Sequence, residues 1–427
     1  TTTPWTLISN VALALHSEVT YVKVLHNEQY LILAEERLLV LDGEYEIVEK
    51  FRGSDLAGID YEPLFTFVEP DKKAYYTVLA DFVTTTDGSG IVHIAPAFGE
   101  DDYQLGLKND LPVVHPVDKS GKFVEAVKPW AGIFVKDADI DIIVDLKHRG
   151  ILYRTEKITH SYPHCWRCKS PLLYYARKSW YIKTTAIKDK LIENNNKIDW
   201  HPKEVGAGRF GAWLENNIDW SLSRDRFWGT PLPIWRCESC DHEECIGSVE
   251  ELNEKGVDVP DGLDLHKPAV DNVDLVCEKC SGSMKRVPEV IDCWFDSGSM
   301  PIAQWHYPFE NKDMFDKKFP ADFISEGVDQ TRGWFYSLLV IGTFLFDEPT
   351  YKSCVSLELI LDKDGKKMSK SVGNSVDPFE LMDKYGADTL RWYLLTVSPP
   401  WLPTRFDEEG VKEVSRKFFG TLTNTFS

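Results

Sequence analysis

No apolar run in this sequence approaches the ~20 residues a helix needs to cross a bilayer, which excludes a helical membrane anchor within it. No charged-then-apolar opening resembling a signal peptide is present either. Internal repeats and low-complexity segments are likewise absent, which argues against solenoid and linker architectures. Positive charge is the scarcer sign: 48 Lys+Arg against 68 Asp+Glu leave a formal charge of −20. That balance excludes indiscriminate nucleic-acid binding over the whole surface, while local basic patches remain free to contact phosphates. Cysteine is modest at 9 residues, and six fall in CxxC pairs, so metal binding in a reducing compartment is expected rather than disulfides. The chain reads as a soluble, cytoplasmic protein.

What remains is ample for several cores: 427 residues, 43% apolar, with 14 Trp. Residues 1 to about 155 read as mostly β. Tyr21–Leu25 and Tyr30–Leu33 are strand-like runs split by the polar His26-Asn27-Glu28-Gln29. Tyr75–Leu79 and Ile91–Ala95 flank a turn-rich Asp87-Gly88-Ser89-Gly90, and a helix from Ile140 to Arg149 ends at Gly150. Residues 156–235 are mixed and Trp-rich, 236–288 form a cysteine-bearing insertion, and 289–405 read as α/β. In that last region a strand Ala321–Ser325 broken at Gly327 precedes a helix carrying Trp334, Phe335, Leu338, Leu339, Ile341 and Leu345. This places Glu326, Asp329 and Gln330 at the carboxyl end of a sheet, where open α/β sheets bind nucleotides. Asp377-Pro378-Phe379-Glu380 reads as a capped helix start, Gly386 separates it from a helix Asp388–Thr396, and another helix begins near Asp407.

Three groups of residues carry chemistry. Lys367-Met368-Ser369-Lys370-Ser371 follows the tight-turn sequence Asp362-Lys363-Asp364-Gly365-Lys366 and precedes Val372-Gly373-Asn374. Two ammonium groups three residues apart on a glycine-flanked loop suit a polyphosphate that gains charge during reaction; the plain alternative is a solvated basic loop. Cys237-x-x-Cys240 and Cys277-x-x-Cys280 read as two knuckles of one tetrahedral site, with Cys245 or His242 able to replace a ligand. Four free structural thiols are the alternative. Cys165-x-x-Cys168 is half a site, completed by His160, His164 or ligands elsewhere. Finally, Thr1-Thr2-Thr3-Pro4-Trp5-Thr6 packs four hydroxyls into six residues, and His93 lies on a strand that runs into Glu100-Asp101-Asp102. Ordinary strand threonines and a core histidine are the default for these, and a Thr/His/Asp hydrolytic site the alternative.

Together these stretches resemble the isoleucyl-tRNA synthetase family of the class I aminoacyl-tRNA synthetases. The lysine run matches the second signature of the class letter for letter. Thr1–Leu7, His93–Asp102, Trp228-Gly229-Thr230-Pro231-Leu232-Pro233, Asp292-Cys293-Trp294-Phe295-Asp296-Ser297-Gly298 and Glu326-Gly327-Val328-Asp329-Gln330 extend the likeness along the chain. The valine and leucine relatives typically carry Thr-Thr-Arg-Pro where this chain has Thr1-Thr2-Thr3-Pro4.

The resemblance implies an α/β fold: the second half of a Rossmann-like nucleotide-binding core at 289–405, a β-barrel editing domain at 1–155, a return to the core with the Cys165/Cys168 half-site at 156–235, a zinc-knuckle insertion at 236–288 and the start of a helical tRNA-binding region at 406–427. It implies ATP-dependent activation of isoleucine, transfer to its tRNA, and hydrolytic editing of valyl-tRNA. Glu326, Gly327, Asp329, Gln330 and Trp334 would hold isoleucyl-adenylate, Lys367, Ser369 and Lys370 would act on the pyrophosphate, and Met368 and Lys370 would contact ATP. Thr2, Thr3, His93 and Asp102 would form the editing pocket. Zn2+ at Cys237, Cys240, Cys277 and Cys280, with a second site at Cys165 and Cys168, and ATP with Mg2+ are the implied cofactor and substrate. Partners are isoleucine tRNA, isoleucine, valine and ATP, with no membrane; a monomer is expected. None of the 11 histidines is three residues from another, so the His-x-Gly-His first signature is expected before Thr1, as is the partner of the Cys165/Cys168 knuckle. The chain, which opens on Thr1 rather than methionine, is expected to be a processed or truncated piece, with an anticodon-binding domain after Asp407. A stand-alone editing hydrolase and a zinc-stabilised RNA-binding protein without catalysis are the competing readings.

Overall fold

A computed structural model describes residues 3–156, 161–165, 168–370 and 372–427. The chain divides into two compact units, Thr1–Lys178 and Ser179–Ser427. Among the described residues no helix is long and apolar enough to cross a membrane.

In the first unit, β1 (Ala12–Leu15), β2 (Thr20–His26), β3 (Gln29–Ala34), β4 (Glu46–Arg52), β5 (Tyr76–Leu79) and β6 (Val92–Ile94) make two open three-stranded sheets, ordered β5-β1-β6 and β3-β2-β4. The polar break between β2 and β3 is a two-residue hairpin turn: His26 pairs with Gln29, and Asn27 and Glu28 both take positive φ, 49° and 62°. Such turns match the twist of the strands they join, and asparagine tolerates the conformation well. β1 runs parallel to β5 and antiparallel to β6, which sets Leu13 opposite His93.

Helix α1 (Glu100–Asn109) leaves the end of β6 with Glu100, Asp101 and Asp102 in its first turn, where the helix dipole favours carboxylates. Helix α2 (Asp139–His148) ends as expected at glycine: Gly150 has φ +70°, its N–H reaches Lys147 O, and Ile151 N–H reaches Leu146 O. Trp5, Ile8, Phe65, Phe123, Val127, Trp130, Ile142 and Leu146 bury the apolar face of α2 against the short helical segment Pro4–Ser9.

The second unit is built on a three-stranded parallel sheet, Ile324–Gly327, Ser353–Leu357 and Asp199–His201, with Ser353–Leu357 in the middle. The first of these strands begins at Ile324 rather than Ala321, and Gly327 is its last residue rather than its breaker. Ala321 makes only a single parallel bridge, to Tyr351. The helix Trp334–Phe346 is apolar all round and correspondingly buried from Phe335 to Thr343. It packs with Leu191, Trp200, Phe210, Leu214 and Tyr351, while Leu345 stays 61% exposed.

An antiparallel five-stranded sheet follows the order Glu243–Cys245, Ile234–Cys237, Ser283–Arg286, Asp274–Val276, Gly256–Val257. Trp235, Leu252, Val273, Leu275 and Met284 fill the core beside it. Near the end of the chain Asp377 caps the helix Pro378–Tyr385 by accepting from Phe379 N–H at 2.8 Å. The reciprocal bond expected from Glu380 does not form. Gly386, at φ +89°, separates this helix from Ala387–Thr396, and Asp407 caps Glu408–Val414.

Candidate functional site

Three constellations emerge, one in the first unit and two in the second.

In the first unit, the segment Pro4–Ser9 lies against β6 through a hydroxyl–imidazole contact. Thr6 Oγ1 donates to Thr3 O at 2.8 Å and stands 3.0 Å from Thr3 Oγ1 and 3.1 Å from His93 Nε2. With its one proton committed to the Thr3 carbonyl, the Thr6 oxygen accepts from the imidazole. His93 therefore carries its proton on Nε2 and a lone pair on Nδ1, which is buried with no partner among the described residues. Burial pushes the imidazole down to about 4. Two residues past His93, Ala95 N–H donates to Asp102 Oδ2 at 2.8 Å. Burial raises the Asp102 carboxyl above its ordinary value, and the Ala95 bond opposes that. The structure thus links Thr3 to His93 through Thr6 and ties Asp102 to the end of the same strand; Thr2 lies outside the described residues. Thr6 was legible only as one of four clustered hydroxyls, and its 5% exposure marks it as the inward member.

The buried neutral imidazole has a consequence for stability. In the unfolded chain His93 titrates near 6.5 and in the folded chain near about 4, so between those values the unfolded state binds more protons. Stability is expected to be full above about pH 6.5 and to fall by roughly 3 kcal/mol as pH drops towards 4. Urea melts across that window check it: His93→Gln should flatten this part of the profile.

In the second unit, the carboxyl edge of the parallel sheet carries Glu326 and Gly327, paired with Ser356 and Leu357. The chain then turns through Val328–Arg332 into the helix Trp334–Phe346. Gln330 Oε1 accepts Trp334 N–H at 2.9 Å, satisfying an orphan donor of the helix, and its Nε2 donates to Asp329 Oδ2 at 3.1 Å. Both faces of this amide are therefore fixed. Trp334 Nε1 donates to Ser297 O at 3.1 Å, which joins the Asp292–Gly298 motif to the Glu326–Gln330 motif. Gly298 permits the contact, since a Cβ there would lie 2.9 Å from Ser337 and Ile341. Asp292, 3% exposed, holds Arg224 at 2.6 Å and Trp220 Nε1 at 3.2 Å, and Thr230 donates to Asp296 at 3.1 Å. Asp292, Asp296, Ser297 and Thr230 were visible as motif letters, but only the contacts show that Ser297 braces Trp334 while Asp292 holds Arg224 and Trp220 and Asp296 holds Thr230.

From Leu357, at the same edge, the chain reaches the lysine loop. Met368 packs against Leu381, Leu390, Tyr393, Phe406 and Val411, which pins the loop's centre. Lys367 and Lys370 are exposed, and neither ammonium meets a partner among the described residues. Ser369 N–H donates to Asn374 Oδ1 at 2.9 Å.

The third constellation is Cys237, Cys240, Cys277 and Cys280, whose sulfurs all lie within 4.8 Å of one another. The Cys237–Cys280 and Cys240–Cys277 pairs are 3.4 and 3.7 Å apart. An ion ~2.3 Å from each of four sulfurs would set them roughly 3.8 Å apart, so the donor set fits a tetrahedral metal. Cys245 and His242 are outside the cluster, and Cys245 pairs with Ile234 in the sheet.

Each knuckle has the same turn. Cys237 N–H reaches His242 O and Asp241 N–H reaches Cys237 O; Cys277 N–H reaches Gly282 O and Ser281 N–H reaches Cys277 O. Asp241 and Ser281 take φ of 54° and 60°. Cys165 repeats it, with bonds from Cys165 N–H to Ser170 O and Lys169 N–H to Cys165 O and φ 62° at Lys169. Cys165 and Cys168 gain no third ligand among the described residues. His164 gives its Nδ1 to Tyr162 O at 2.8 Å, and His160 lies outside the described residues.

Known proteins resemble this chain along its whole length. An isoleucine–tRNA ligase of Clostridium acetobutylicum is 60% identical over 427 residues, covering 100% of this chain and 41% of its own length. One from Clostridium novyi is 60% identical over 428 residues with the same coverage, and one from Bacillus thuringiensis is 52% identical over 429. The chain thus spans 41% of the length of these relatives. A family model described as tRNA synthetases class I (I, L, M and V) matches residues 132–402. With that match covering more than half of its length, the chain belongs to the class I tRNA synthetases of the isoleucine, leucine, methionine and valine group.

Proposed function

We infer that this chain is the part of an isoleucyl-tRNA synthetase that completes amino-acid activation and edits the product. The observation that carries the activation reading is the pair of ammonium groups, Lys367 and Lys370, without partners among the described residues, on a loop anchored by Met368 and reached from the carboxyl edge of a parallel sheet. In that reading an isoleucine carboxylate oxygen attacks the α-phosphorus of ATP. The bond from that phosphorus to the α–β bridging oxygen breaks, and pyrophosphate departs with the charge the lysines neutralise. Positioning and charge supply most of the catalysis in such a displacement. Glu326, Gly327, Asp329, Gln330 and Trp334 hold the isoleucyl-adenylate that results. ATP enters with Mg2+, and the adenylate then passes its isoleucyl group to the tRNA. The identity of 60% to isoleucine–tRNA ligases over the whole chain favours isoleucine as the amino acid. Isoleucine-dependent ATP–pyrophosphate exchange by the complete native polypeptide tests this; exchange driven equally by leucine or methionine would overturn it.

Editing follows from a physical limit. One methylene in an apolar pocket is worth only about 1–3 kcal/mol, so an isoleucine pocket admits valine too often. Residues 1–155 serve as the hydrolytic editing domain, a β-barrel in this reading, with Thr2, Thr3, His93 and Asp102 lining its pocket. The contact of Thr6 with His93, the bond from Thr3 to Thr6 and the tie from Asp102 to Ala95 support a single pocket there. The Asp102 carboxylate holds the α-ammonium of the misattached valine, and His93 limits the side-chain space. Asp102→Ala is expected to abolish valyl-tRNA deacylation or make it indiscriminate between valyl and isoleucyl esters. Unchanged discrimination in a deacylation assay would overturn this assignment. Zinc held by Cys237, Cys240, Cys277 and Cys280 is structural in this reading, because four thiolates leave no position for water.

A further inference from the structure

The sequence Asp-Lys-x-Gly-Lys occurs twice, at 118–122 and 362–366, and folds the same way both times. Asp118 Oδ1 accepts from Ser120 and Lys122 N–H at 2.8 and 3.0 Å; Asp362 Oδ1 accepts from Asp364 and Lys366 N–H at 3.0 and 2.7 Å. Gly121 and Gly365 take φ of 76° and 81° and donate to the aspartate carbonyl, and each aspartate N–H reaches the lysine carbonyl four residues on. One carboxylate oxygen is therefore enough to build the turn. The two copies differ in the other oxygen: Asp362 Oδ2 accepts from Asn374 Nδ2 at 2.8 Å, a bond the turn itself does not need.

The half-buried Asn374 side chain spans the lysine loop. Its Nδ2 also reaches Lys367 O at 3.2 Å, and its Oδ1 accepts Ser369 N–H at 2.9 Å. The turn before the loop and the backbone of two loop residues are thus joined through one amide. We propose that Asn374, latched to Asp362, is the positioning residue that sets where the Lys367 and Lys370 ammonium groups stand during pyrophosphate departure. The proposal rests on the reading of this loop as the pyrophosphate site.

The latch has a donor–acceptor polarity that can be reversed. Asn374→Asp sets two carboxylates face to face, and Asp362→Asn sets two amide nitrogens face to face. In the double variant the amide introduced at position 362 donates to the carboxylate introduced at position 374. That carboxylate still accepts from Ser369, while its second oxygen takes the donor from position 362 and faces the Lys367 carbonyl without a proton to give it. The test is isoleucine-dependent ATP–pyrophosphate exchange by the complete native polypeptide and these three variants, with thermal melts alongside. Each single variant is expected to lower kcat on the order of a hundred-fold, the scale of a small misplacement of catalytic groups, with the KM for isoleucine and the melting temperature held. The double variant is expected to recover most of the loss. Asp118→Asn, the same change in the unlatched copy, is expected to leave kcat unaltered. Single variants within two-fold of the parent, a double variant no better than the singles, or an equal loss in Asp118→Asn would each overturn the latch. Absence of exchange in the parent would instead overturn the activation reading.

Discussion

Lys370→Ala is expected to lower isoleucine-dependent pyrophosphate exchange by about 10²–10³-fold, or roughly 3–4 kcal/mol of transition-state stabilisation. The loss should fall mainly on kcat, because negative charge accumulates on the leaving pyrophosphate as the bond breaks, not while ATP merely binds. Lys367→Ala should behave alike, and the double variant should lose less than the product of the singles if the two ammonium groups share one charge. Lys370→Arg keeps the charge but spreads it over a planar fork, so only partial activity is expected. Stability offers the complementary readout. Both side chains are exposed and without partners among the described residues, so melting temperatures should hold, as for most surface substitutions. A Lys370→Ala protein with undiminished kcat would leave the loop a solvated basic turn.

Disrupting the four-cysteine cluster, with the metal proposed there, is the second large perturbation. Cys237 and Cys277 are each 1% exposed and belong to the core that holds Trp235, Leu275 and Met284. Structural zinc contributes an apparent 10–16 kcal/mol in small metal-dependent folds. A strong chelator, or Cys277→Ser, should therefore cost the five-stranded sheet its hydrogen-exchange protection along with the metal. Gly282 makes the packing unforgiving: a Cβ there would sit 3.2 and 3.3 Å from the sulfurs of Cys280 and Cys237. Cys245→Ser, outside the cluster, should change neither metal content nor protection. Metal analysis by mass spectrometry together with exchange rates decides it; full protection in a metal-free Cys277→Ser protein would make the cluster four structural thiols.

Local chemistry was legible in the sequence, and pairing across distance was not. Gly150 and Asp377 announce their roles because a positive φ or an orphan helix N–H admits few residue types. The four-cysteine cluster was legible for the same reason, since CxxC spacing builds each knuckle from within itself. By contrast, the strand at Ile324–Gly327 was misplaced by three residues at its start. Ala321 has strand-like neighbours, yet the ladder with Ser353–Leu357 begins only at Ile324. The contact of Thr6 with His93 depends on how the chain before β1 meets β6, which no periodicity encodes. Nor does any motif say that Trp334 rests on Ser297, or that Asn374 reaches back to Asp362. Those contacts are set by packing between segments remote in sequence.

The order of strands in the parallel sheet bears on how the protein is made. Its middle strand, Ser353–Leu357, is the last of the three to leave the ribosome, while Asp199–His201 emerges far earlier and pairs with nothing else in that sheet. At ~5–20 residues per second, that first strand waits on the order of ten seconds with a bare edge. The five-stranded sheet, complete by Arg286, can close during the wait, and the first unit, ending at Lys178, can close before it. Nascent chains stalled between residues 286 and 353 should therefore hold an ordered cysteine module while the parallel sheet is still unassembled. It is in this interval that chaperones have most to protect.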